Sequence, residues 1–175
     1  MTSRLQIISL AVIFTAVFCL GFTFFYARRQ RSLAPQVPNT SGRTLPSAEL
    51  VDESNQMLAD SQLRSGKMIL VFVTPDCDAC MAEAQFLRKA IAQRADVPFY
   101  GVVSFGEKES ALRQAKDEFP FKVFYDEHFK LASQLGIKRV PIKLFVENGV
   151  IRKSWGGATV QQDKQDEFLS WLKGA

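Results

Sequence analysis

The chain of 175 residues holds one histidine, His128, and three cysteines, of which Cys19 lies in an apolar N-terminal stretch. So few cysteines exclude a disulfide framework, which needs several pairs. With Cys19 set apart, Cys77, Cys80 and His128 fall short of the four ligands a zinc site takes, so no metal site is expected. Acidic residues are missing from the first 43 positions, which carry five arginines. The other 132 residues hold 17 basic and 18 acidic side chains, a net charge of −1. The formal charge of +4 therefore belongs to the N-terminal segment, and no nucleic-acid-binding surface follows from it. There is no internal repeat.

What is present centres on Met68–Ile69–Leu70–Val71–Phe72–Val73–Thr74–Pro75–Asp76–Cys77–Asp78–Ala79–Cys80–Met81. The unbroken apolar run predicts a strand buried on both faces. Thr74–Pro75–Asp76 ends it, and Asp76 offers a helix N-cap. From Cys77 apolar residues recur at helical spacing, through Ala84, Leu87 and Ile91. Two cysteines thus sit on the first turn of a helix that follows a central strand. The helix dipole and its unpaired N–H groups stabilise a thiolate there. Cys77 reads as the exposed nucleophile, and Cys80, one turn on, can close a disulfide with it.

Upstream, residues 1–4 are a short stub. Residues 5–26, Leu5 to Tyr26, are almost wholly apolar and long enough to span a bilayer as a helix. No small-x-small site follows, so the segment reads as an uncleaved signal-anchor. Arg28, Arg29 and Arg31 outnumber Arg4, and the positive-inside rule alone would keep the C-terminal part in the cytoplasm. Thiol chemistry favours the opposite side, and the expectation is a single-pass membrane protein with its domain extracytoplasmic, on the periplasmic side of a bacterial inner membrane. Residues 27–46, rich in Pro, Ser, Gly and Asn, read as a linker, and 47–175 as the folded domain.

Within that domain, a small hairpin is expected around Glu49–Val51 and Gln56–Leu58, and a helical turn at Ala59–Leu63. Val97–Ser104 and Lys122–Tyr125 read as strands, and Glu107–Phe119 and His128–Leu135 as helices, the last ended by Gly136. Ile142–Val146 and Val150–Trp155 form a hairpin across Asn148–Gly149. A final helix covers Val160–Lys173. The order predicts an α/β domain, a mixed central sheet with helices on both faces.

Gly66–Lys67 before the strand, Cys77–Asp78–Ala79–Cys80, Phe124–Tyr125–Asp126, Gly136–Ile137, Val140–Pro141 and Glu147–Asn148–Gly149 together resemble a membrane-anchored thioredoxin-like protein of the TlpA/ResA-like branch, the AhpC/TSA–redoxin family. The resemblance covers roughly residues 45–172. It implies a thioredoxin-like fold, a CxxC thiol–disulfide oxidoreductase with no cofactor, and Cys77 and Cys80 as its catalytic pair. It further implies a cis bond at Val140–Pro141, these two residues shaping the groove for a protein cysteine or disulfide substrate. The aromatic residue usual before the first cysteine is replaced by Asp76. Asp76 and Asp78 place negative charge beside Cys77 and oppose its thiolate, which predicts a relatively reducing site fed by a membrane or cytoplasmic electron donor. Such a protein would reduce protein disulfides or mature a cytochrome-type redox protein. Two alternatives share the fold. Thr74–Pro75–Asp76–Cys77 echoes the Thr-x-x-Cys of peroxiredoxin-like thiol peroxidases, although Leu70 stands where those carry proline. A copper-binding chaperone would use Cys77, Cys80 and His128.

Overall fold

The computed structural model describes residues 17–23, 38–94 and 96–174. The chain divides into two units, residues 1–34 and 35–175. In the first, residues 17–23 are helical and exposed. The rest of the expected membrane span, 5–26, lies outside the described residues, as do the arginines after it. Among the described residues no helix is long and apolar enough to cross a membrane.

The second unit is a six-stranded mixed sheet. Its strands are β1 (Leu50–Val51), β2 (Lys67–Val73), β3 (Phe99–Val103), β4 (Lys122–Asp126), β5 (Ile142–Glu147) and β6 (Val150–Gly156), in the spatial order β1-β4-β3-β2-β5-β6. β2, β3 and β4 run parallel, while β1, β5 and β6 are antiparallel to their neighbours. The helices are α1 (Asp60–Arg64), α2 (Asp78–Gln93), α3 (Lys108–Glu118), α4 (Lys130–Leu135) and α5 (Gln162–Gly174).

Alternation along β2 explains why the sheet is covered twice. Ile69, Val71 and Val73 pack with Cys80 and Leu87 of α2, Leu112 of α3 and Phe168 of α5. Met68, Leu70 and Phe72 pack on the other face with Leu63 of α1, Leu131 and Leu135 of α4, and Phe124. A side chain such as Phe72, buried to 1% exposure, contributes about 2–3 kcal/mol. The hairpin turn at Asn148–Gly149 forms as expected, with both residues at positive φ (50° and 74°). Gly136 ends α4 at φ 71°, the left-handed cap that glycine adopts without strain.

The structure differs from the expectation in the stretch read as linker and at the start of α4. Residues 42–45, inside the stretch read as linker, pair with the sheet. Gly42 N donates to Ile151 O, Ile151 N to Arg43 O and Leu45 N to Gly149 O, and Leu45 is 1% exposed. Their Gly and Thr content matched a linker, but one buried leucine and edge-strand hydrogen bonds suffice to dock them. The helix expected from His128 begins later, at Lys130. Glu127–Phe129 form a short 3-10 turn, with His128 and Phe129 both left-handed (φ 58° and 56°). The buried Asp126 carboxylate accepts from Leu131 N and Ala132 N, both at 2.8 Å, and these bonds start α4 after the kink.

Candidate functional site

β2 delivers the chain to the site. Its last residue, Val73, is followed by Thr74–Pro75–Asp76, and Cys77 becomes the N-cap of α2. The Cys77 Sγ accepts from Cys80 N at 3.2 Å. Asp76, expected to cap, instead takes a left-handed conformation (φ 56°), which aspartate tolerates better than most residues. Its carboxylate accepts from Gln114 Nε2 of α3 at 2.7 Å. The long Gln114 side chain reaches across to the loop, so the cap passes to the next residue. Asp78 stands exposed in the first turn of α2, where negative charge complements the helix dipole.

Cys77 and Cys80 are joined in a disulfide, with Cα atoms 5.1 Å apart. Cys77 is half-buried and Cys80 is fully buried. An incoming sulfur therefore meets Cys77 first.

Val140–Pro141 is a cis peptide, as the resemblance implies. Phe72 pairs with Ile142, so the start of β5 lies beside the end of β2, and Pro141 stands next to the loop that carries Cys77. Val140 packs against both cores, including the one that holds the two cysteines. Pro141 O accepts from Gly157 N at 2.9 Å, which ties this loop to the end of β6.

The core beneath the cysteines holds a buried ion pair that no sequence motif marks. Glu83 lies three residues beyond Cys80 on the buried stripe of α2 and meets Lys143 of β5 at 2.8 Å. Thr159 closes the cluster: its N–H and hydroxyl donate to Glu83, and its hydroxyl accepts from Lys143 Nζ at 2.8 Å. Lys143 also donates to Gly157 O at 3.2 Å. Burial pushes the Lys143 ammonium below its usual lysine value, and Glu83 opposes that shift. A lysine inside the apolar run Ile142–Val146 was the signal available. On a strand buried on both faces it needs a partner.

Among the described residues no three His, Cys, Asp or Glu side chains gather so as to hold a metal ion. The copper alternative needed His128 beside the cysteines. His128 instead sits in the turn after β4, two strands along the sheet from β2.

The AhpC/TSA family matches over residues 41–155. This chain belongs to that family. No curated protein matches it. Among solved structures it is similar to a thiol:disulfide interchange protein from Bacteroides sp., at 17% identity and TM-score 0.62, covering 77% of this chain and 91% of that one. It is similar to a secreted Mycobacterium tuberculosis disulfide oxidoreductase, at 19% identity and TM-score 0.60, covering 73% and 95%. A third is the exposed lipoprotein thioredoxin Etrx1 of Streptococcus pneumoniae, at 22% identity and TM-score 0.57, covering 73% and 98%. At such identities these likenesses establish the fold, which is thioredoxin-like.

Proposed function

We propose that this AhpC/TSA-family protein is a thiol–disulfide oxidoreductase that reduces protein disulfides, with Cys77 as nucleophile and Cys80 as resolving thiol. The observation that carries the reading is the Cys77–Cys80 disulfide at the mouth of α2, beside the Val140–Pro141 loop. In the reduced protein the Cys77 thiolate attacks a substrate disulfide. One substrate sulfur leaves as a thiol after taking a proton, and a mixed disulfide to Cys77 remains. The Cys80 thiol loses its proton and attacks Cys77 Sγ, releasing the second substrate sulfur. The substrate gains two electrons and two protons, and the protein is left with the Cys77–Cys80 disulfide described here. A dithiol donor on the membrane or in the cytoplasm then restores the pair by the reverse exchange.

The apolar segment 5–26 tethers the domain to the membrane, with the domain on the periplasmic side of a bacterial inner membrane. That placement suits a dithiol, because disulfides form and persist outside the cytoplasm. Alkaline phosphatase fused after Ala175 is active if the domain is exported; an inactive fusion overturns the placement. The reaction itself is tested by trapping. Cys80→Ala should accumulate mixed disulfides through Cys77 with protein thiols. An absence of trapped protein, with peroxide consumed faster than any disulfide, would assign the chain to the thiol peroxidases instead.

A further inference from the structure

Gly157 is held on both sides of its own residue. Its N–H donates to Pro141 O at 2.9 Å, and its carbonyl accepts from Lys143 Nζ at 3.2 Å. Left to itself this stretch has little to fix it. Gly156 ends β6, Gly157 follows at φ 79°, and a pair of glycines restricts the backbone less than any other residues do. What fixes Gly157 is a buried cluster. Lys143 is held by the Glu83 carboxylate and by the Thr159 hydroxyl, both at 2.8 Å. Thr159 in turn donates its N–H and its hydroxyl to Glu83. All three side chains are buried.

These contacts make one continuous path of hydrogen bonds from α2 to the Val140–Pro141 loop. It starts at Glu83, one turn beyond Cys80 on the buried stripe of α2. It crosses Lys143 to Gly157 O and leaves from Gly157 N to Pro141 O. Its two ends belong to the two elements that meet at Cys77. The helix α2 carries the cysteines, and the pairing of Phe72 with Ile142 sets Pro141 beside the loop in front of them. Stability is a weak reason for a buried pair, because apolar side chains of similar size hold a core as well or better. Fixed geometry is a stronger one. Charge-assisted hydrogen bonds set distance and direction, where apolar contacts leave room to slide.

We propose that Glu83 and Lys143 are positioning residues. Through Gly157 they set the Pro141 loop against the cysteine end of α2, and with it the geometry in which a disulfide substrate meets Cys77. This rests on the oxidoreductase reading above. Both side chains are buried, so neither touches the substrate. The pair carries no net charge. Its removal therefore changes how well a substrate is held and leaves the chemistry of the two thiols as it was.

The test uses the full-length protein in detergent and the double variant Glu83→Leu with Lys143→Met, which removes the pair without stranding a charge. Amide exchange followed by NMR reads the path without any reaction. The Gly157 N–H should exchange about tenfold faster in the double variant, the scale of one ordinary hydrogen bond, while the amides of β2 and β3 keep their protection. The consequence is read on a fluorogenic peptide whose two extended segments are joined by a disulfide, with dithiothreitol as electron donor. KM should rise about tenfold while kcat stays within about twofold of the parent. The potential against glutathione should not move. Thr159→Val removes only the hydroxyl and decides the matter if the double variant does not fold. It should move both readouts the same way by a smaller factor, and Thr159→Ser should match the parent. Unchanged exchange at Gly157, or faster exchange with an unchanged KM, overturns the proposal. So does a shifted potential, or a fall in kcat at constant KM, which would make the pair an electrostatic tuner of the thiols. A parent that reduces no disulfide overturns the oxidoreductase reading, while faster Gly157 exchange in the variant would still support the coupling of α2 to the Pro141 loop.

Discussion

Glu83 and Lys143 meet at 2.8 Å between α2 and β5, and each side chain is 1% exposed. Removing one member of such a pair strands the other charge in the core. Replacing both by apolar groups of similar size removes the cost of burying either. Glu83→Gln is therefore expected to lose roughly 3–5 kcal/mol, while Glu83→Leu with Lys143→Met recovers most of it. Urea denaturation of the reduced proteins measures both. A Glu83→Gln protein as stable as its parent would show that Thr159 and Gly157 alone satisfy the lysine.

The same variant has a pH signature. Burial pushes Lys143 down, and Glu83 is the group that holds it up. In Glu83→Gln only the downward push remains, so the unfolded chain binds the lysine proton more tightly than the folded one. Stability then rises with pH wherever the unfolded state holds more protons, up to the ordinary lysine range. The deficit of Glu83→Gln should narrow as pH rises toward the ordinary lysine range. A deficit that stays constant over that rise would mean that Lys143 remains charged without its partner.

β2, the two cysteines, the Asn148–Gly149 hairpin and the Val140–Pro141 loop were legible because each is a local signal. They consist of an apolar run, a spacing, a turn dipeptide and a dipeptide of a family pattern. Glu83, Lys143 and Thr159 were not, since they meet from α2, β5 and the loop after β6, and no spacing links them. Asp126 belongs to the family-like Phe124–Tyr125–Asp126 stretch, yet its work as the cap of α4 depends on the kink at His128–Phe129. Polar composition also hid residues 42–45, which dock through backbone hydrogen bonds that most residue types can make.

Asp126 is fully buried and receives Leu131 N, Ala132 N and the Ser104 hydroxyl. Asp126→Ala leaves those three donors without their acceptor and should cost about 2–4 kcal/mol. Asp126→Asn keeps one acceptor oxygen and should cost less. Thermal unfolding ranks the three proteins; an alanine variant equal to the parent would show that α4 needs no cap.

Cys77 is half-buried at the mouth of α2 and Cys80 is fully buried one turn below. After reduction, iodoacetamide should label Cys77 at least about tenfold faster than Cys80, because the thiolate at the helix terminus is both favoured and reachable. Peptide mass mapping at short times reads the ratio. Equal labelling, or Cys80 first, would reverse the roles proposed for the pair.

Redox poise rests on the acidic flanks of Cys77. The terminus of α2 favours a thiolate, and a strongly favoured thiolate makes a dithiol protein an oxidant, because its reduced form is the stable one. Asp78 in the first turn opposes the thiolate by like charge. Asp76 is held by Gln114 at 2.7 Å, so its carboxylate stays in one place instead of turning to cap the helix. Asp78→Asn removes one charge without changing shape. Its Cys77 should alkylate at lower pH than in the parent, and its potential against glutathione should become more oxidising. Gln114→Ala frees Asp76, and its alkylation profile shows whether the anchored carboxylate matters on its own. The charge effect weakens with salt, so the difference between Asp78→Asn and parent should shrink as ionic strength rises from 0.01 to about 1 M, where the screening length falls to ~3 Å. An Asp78→Asn profile that coincides with the parent at low salt, or moves to higher pH, removes the electrostatic case for a reductant.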